Sequence, residues 1–81
     1  MSFPPPDVQT VKTLENINKN SLFMFGENRV YAIGDSIYKI NKYGPGNMIS
    51  VRRYFYCNGN WLPTQDIPFY VLKTRPVTII N

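Results

Sequence analysis

Arg52 and Arg53 stand side by side in residues 50–64, SVRRYFYCNGNWLPT, followed at once by Tyr54, Phe55 and Tyr56 and, across an Asn-Gly-Asn turn, by Trp61. Cationic side chains track phosphates, and flat rings stack on unpaired bases at about 1–3 kcal/mol per base. Cations alternating with rings are therefore the chemistry of a site for single-stranded nucleic acid. Duplex DNA hides its base faces, so rings contribute less there. The same residues also fit a plainer role. Tyrosine suits a half-buried pleated surface, and an arginine beside a ring is often only packing its stem. A lone tryptophan such as Trp61 most often sits in the core, although its place just after a turn also suits a groove wall.

Catalytic chemistry has little to work with. The chain has no histidine and a single cysteine, Cys57, which removes nucleophile–histidine arrangements and His/Cys metal sites. Glu27, Asp35 and Asp66 each lie beside turn residues, where turn formation or solvation is their simplest role. GENRVYAIG and YGPGN contain glycines but lack the lysine and following helix of a phosphate-cradling loop. The expectation is a protein that is not an enzyme and uses no metal and no cofactor. Cys57, with no basic neighbour to activate it, reads as a small buried hydrophobe.

Charge is unevenly distributed. The first 28 residues are slightly acidic, whereas the remainder carries Arg29, Lys39, Lys42, Arg52, Arg53, Lys73 and Arg75 against Asp35 and Asp66 alone. A basic body attracts polyanions, and it also keeps a small protein soluble. The 81 residues allow one domain with a thin core. One cysteine permits no internal disulfide, so association into a homodimer is the expected extra source of stability. No apolar run is long enough for a transmembrane helix, and MSFPPPDV lacks the basic and apolar regions of a signal peptide. A soluble intracellular protein is expected, nuclear or, for a viral or phage protein, in the host cytoplasm.

The elements that must position these groups are short strands. Residues 3–6 are proline-rich and extended. Asp7 caps an expected short helix over 8–18, where Val8, Val11, Leu14 and Ile17 form a drifting apolar stripe; an extended arm is the alternative. From residue 21 the texture becomes β-rich, with runs at 21–25, 29–33, 36–43, 48–57, 61–62, 67–74 and 77–80 separated by turn residues. NGN between the fourth and fifth runs suits a hairpin. Pro68 and Pro76 confine the last two runs to strand ends or sheet edges. The fold class predicted is mainly β (α+β), a curved antiparallel meander with one short N-terminal helix. Residues 1–20 form an arm or helix, and residues 21–81 a single β-rich nucleic-acid-binding domain.

Alternation divides the longest run into two faces. Ile49, Val51, Arg53, Phe55 and Cys57 share one, the better core face apart from Arg53. Met48, Ser50, Arg52, Tyr54 and Tyr56 share the other. Arg29 pairs with Tyr31 and Lys39 with Tyr43 by the same rule, whereas Tyr38 and Lys42 fall on the opposite side of their strand. Aligned across the sheet, these groups would interleave on one concave surface. Candidate nucleic-acid contacts are Arg29, Tyr31, Lys39, Lys42, Arg52, Arg53, Tyr54, Tyr56 and Trp61.

NMISVRRYFYCNGNWLPTQDIPFY resembles the transcriptional coactivator family Positive Cofactor Four, in which a strand ending in an IREYY-like segment leads into a glycine turn, an LPT-like step and an apolar segment. LFMFGENRVYAIG looks like that family's preceding strands, so the likeness spans about residues 22–72. It implies a curved, dimeric antiparallel sheet that binds single-stranded or unwound DNA. Carried across by position, the likeness implies contacts by Arg29, Tyr31, Lys39, Lys42, Arg52, Tyr54 and Trp61; replication or transcription proteins are the further partners expected. The family ends in a long helix that helps form its dimer, whereas residues 67–81 here read as extended, and KYGPGNM lengthens the middle connection. The other function classes that the composition allows are an SH3-like β-barrel interaction module and a virus-encoded inhibitor of a host nucleic-acid enzyme.

Overall fold

The computed structural model describes residues 11–80. The proline-rich stretch 3–6, the Asp7 cap and the first residues of the expected helix lie outside the described residues. A 3-10 turn at Leu14–Asn16 is followed by six strands: β1 (Leu22–Phe25), β2 (Ile37–Tyr43), β3 (Met48–Cys57), β4 (Asn60–Pro63), β5 (Phe69–Leu72) and β6 (Val77–Ile80). They form one open antiparallel sheet in the order β4-β3-β2-β1-β6, with β5 also paired to β3. The protein is mainly β. The run from β1 to β4 is a meander, and β6 leaves it to pair with β1.

Two expected elements are absent among the described residues. In place of an α-helix over 8–18, the described part forms only the 3-10 turn. Valine, threonine and asparagine are weak helix formers, and the backbone here has other partners. The N–H groups of Leu14 and Glu15 donate to the carbonyls of Arg75 and Lys73, at 3.0 and 2.9 Å, and Val77 donates to Lys12 at 2.9 Å. Residues 12–15 thus strap across the turn between β5 and β6, and Leu14 and Ile17 enter the core. The run at 29–33 is a loop and not a strand. Gly26 and Asn28 just before it and Gly34 just after it have positive φ, which bends the chain away from extension.

β3 organises the sheet. Its first four residues pair with β5 and its last four with β4 on the same edge, while β2 lines the other edge from Ile49 to Tyr54. Asn58 and Gly59, at φ 50° and 84°, close the β3–β4 hairpin with the two positive φ values of a type I′ turn. A bulge at Asn41 absorbs one extra residue between Ile40, opposite Val51, and Lys42, opposite Ser50.

The sheet rolls. In a flat sheet β1 and β5, with β2 and β3 between them, would lie about 14 Å apart. Instead the rings of Phe25 and Phe69 approach to 6.4 Å, and Tyr38 packs edge-on to Phe69 at 5.8 Å. These rings share the face of Ile40, Ile49, Val51, Val71 and Val77, so the core lies inside the curve. Phe23 and Leu14 are fully buried there.

Leu14→Ala is expected to cost about 2–5 kcal/mol, the usual range for a buried leucine, read from the urea unfolding midpoint. A change below about 1 kcal/mol, typical of surface sites, would place the strap outside the core.

Candidate nucleic-acid interface

The cation and ring positions of the sequence come together on the outer, convex side of the roll, not on a concave one. Cross-strand pairing puts Lys39 directly opposite Arg52, Lys42 opposite Ser50, Ser50 opposite Tyr70, and Tyr56 opposite Trp61. All of these side chains leave the sheet on the side of Arg52 and Tyr54. The Asn41 bulge decides the position of Lys42. Simple alternation sets Lys39 and Lys42 on opposite faces, whereas the extra residue returns Lys42 to the side of Lys39 and sends Tyr43 to the other.

The electrostatics of this face are unusual for a sheet. Like charges directly opposite each other on neighbouring strands are destabilising, yet Lys39 and Arg52 are such a pair, with Lys42 next along the same row. Among the described residues the ion pairs are Arg29–Asp35, Arg53–Asp66 and Lys73–Glu15, and none includes Lys39, Lys42 or Arg52. Lys39 is partly compensated by the Tyr54 ring, whose centroid lies 4.9 Å from its Nζ. The Arg52 guanidinium donates to the carbonyls of Thr64 and Asp66, both at 3.4 Å, and so also holds the loop between β4 and β5.

At one end of the face three rings gather. Tyr56 and Trp61 meet edge to face at 5.1 Å, and Tyr31 reaches Trp61 at 5.9 Å. Trp61 is half-buried in this cluster and is not a core residue. Tyr31 arrives from the loop at 26–36. The Arg29 N–H donates to Thr78 Oγ1 on β6 at 3.1 Å, so the loop crosses the outer face from β6 to β4, above the buried Met24 and Ile37.

Two expected contacts fall elsewhere. Arg29 braces that loop, donating to the Phe25 carbonyl at 3.1 Å and to Asp35 Oδ1 at 2.9 Å. Arg53 leaves on the inner side, where its Nε donates to Asp66 Oδ2 at 2.7 Å. Alternation forbids Arg52 and Arg53 from sharing a face, and no bulge in β3 intervenes. Phe55 and Cys57 also depart from the core role read for them. Phe55 is 44% exposed, because β3 runs past the end of β2 and beyond the core.

Tyr70 belongs to the outer face, 45% exposed, and was not among the candidates. Its signal lay in the alternation of PFYVL, with Gly44 as its floor. A Cβ added at Gly44 would lie 2.5 Å from the Tyr70 ring and 2.9 Å from the Met48 carbonyl oxygen, so glycine leaves the room that the ring occupies. No family model, curated protein or solved structure matches the chain. The likeness to Positive Cofactor Four rests on the quoted motifs alone.

Tyr31→Ala is expected to open one edge of Trp61. Acrylamide quenching of Trp61 fluorescence should rise while the unfolding midpoint moves by less than about 0.5 kcal/mol, the usual limit for a surface site. Unchanged quenching would dissolve the three-ring cluster.

Proposed function

We propose that this protein binds single-stranded DNA without catalysis, in replication, recombination or transcription, through the outer face that carries Lys39, Lys42, Arg52, Tyr54, Tyr56, Trp61 and Tyr70. One observation carries the reading: Lys39 and Arg52 face each other across two strands with no carboxylate between them. Placing two cations there costs the free protein stability, and a phosphate backbone laid along the row offsets that repulsion. The neighbouring exposed rings supply stacking surfaces, which a purely electrostatic duplex site does not need.

A second reading, a small-barrel protein-interaction module, is favoured by a different observation. The loop at 26–36 is held by the Arg29–Asp35 ion pair and yet projects Val30 and Ile33, 88% and 99% exposed, into solvent. Partner binding through those two aliphatic residues would be insensitive to salt and abolished by Val30→Ser with Ile33→Ser.

Titration with oligo-dT should quench Trp61 fluorescence, with affinity falling as salt rises at a slope near −0.7 per phosphate contacted. Lys39→Ala with Lys42→Ala should lower the magnitude of that slope by about 1.4. Tyr54→Ala should weaken binding by about 1–3 kcal/mol at an unchanged slope. Equal affinity for duplex of the same length, or no binding at low salt, rules the reading out.

A further inference from the structure

Beyond the end of β2, residues 55–57 of β3 and 60–62 of β4 continue as a two-stranded ribbon with no third strand beside them. On the outer face stand Tyr56 and Trp61, already placed. On the inner face Phe55 lies directly opposite Leu62, 44% and 41% exposed. An isolated two-stranded ribbon is marginal in water, and this one holds an apolar pair away from the core.

The apolar surface does not end at the ribbon. Arg53 is the next inner-face residue along β3, ion-paired to Asp66, and its cross-strand neighbour Tyr38 packs against Phe69. Ile67, adjoining Asp66, is 86% exposed, and Phe69 is 43% exposed. The inner edge of β4 and β5 therefore presents Phe55 and Leu62, then a neutralised Arg53–Asp66 pair, then Phe69, with Ile67 exposed on the loop that joins the two strands.

We infer that this surface is where a second copy of the chain docks, in a two-fold symmetric dimer. Its charge pattern selects that occupant. A chain of net charge +4 repels its own copies over most of its surface. Across this stretch Arg53 and Asp66 cancel. A two-fold contact must also be self-complementary, and a cation beside an anion between two apolar groups satisfies this, since each Arg53 can face the Asp66 of the other copy. Polyanions lack that match, because the one cation among these residues is already neutralised. Docking by this face leaves Lys39, Lys42 and Arg52 of both copies open on the far sides. The inference does not rest on nucleic-acid binding.

Sedimentation of the full chain across roughly 1–100 μM, the span that brackets micromolar affinity, tests it. The wild-type chain is expected to sediment as a dimer that persists in high salt. Ile67→Glu should weaken association by at least about tenfold, or about 1.4 kcal/mol, with an unchanged far-ultraviolet circular dichroism spectrum. Ile67 is too exposed for that substitution to disturb the core, so the test does not depend on the ribbon variant Phe55→Ser with Leu62→Ser, which should dissociate the dimer in the same way. A wild-type chain that stays monomeric at the highest concentration overturns the inference, as does a dimer that both variants leave intact.

Discussion

The pairing of β3 is the constraint on which the rest of the molecule depends. Its ten residues have β2 on one edge and, on the other, β5 followed by β4 end to end. Over its first half the strand is enclosed, with Ile49, Ser50 and Val51 all buried. Beyond Tyr54 β2 has ended and β4 is the only neighbour left, so side chains of the same types face water. A single strand thereby joins a core to a projecting ribbon, and residues two apart along it meet different surroundings.

The roll of the sheet separates core from candidate site. Aromatic contacts across the inside draw β5 toward β1, and residues 12–15 lock the turn that carries the chain from β5 to β6. What remains outside is a convex face on which Lys39, Lys42 and Arg52 have no acidic neighbour, because the carboxylates that form ion pairs engage Arg29, Arg53 and Lys73. Three of the chain's cations in this way share one side, whereas Arg75 lies over the Phe25 ring on the inside. The loop at 26–36 and the β3–β4 hairpin then bring Tyr31, Tyr56 and Trp61 together at the end of that row.

Much of this was legible in the chain. Strands β3 and β6 coincide with the runs read from alternation and turn residues, and β1, β2, β4 and β5 differ from theirs only at the ends. The NGN hairpin and the opposed faces of Arg52 and Arg53 follow from local rules, since turn chemistry and period-two alternation act within a few residues. The expected strand at 29–33 failed because β-propensity there competes with flanking glycines and with the hydrogen bonds of Arg29. The helix over 8–18 gave way, in its described part, to tertiary backbone bonds that local propensity does not register.

What the sequence determined by itself was the inventory and the strand periodicity: an antiparallel, mainly β chain with cations and rings interleaved, with no histidine and a single cysteine. Only the tertiary structure decided which of those groups share a surface. The Asn41 bulge turned Lys42 to the side of Lys39, the end of β2 exposed Phe55, and the roll placed the basic row outside the curve. Each of these depends on where a neighbouring strand begins, ends or slips by one residue, and that is a property of pairing between distant segments, not of either segment alone.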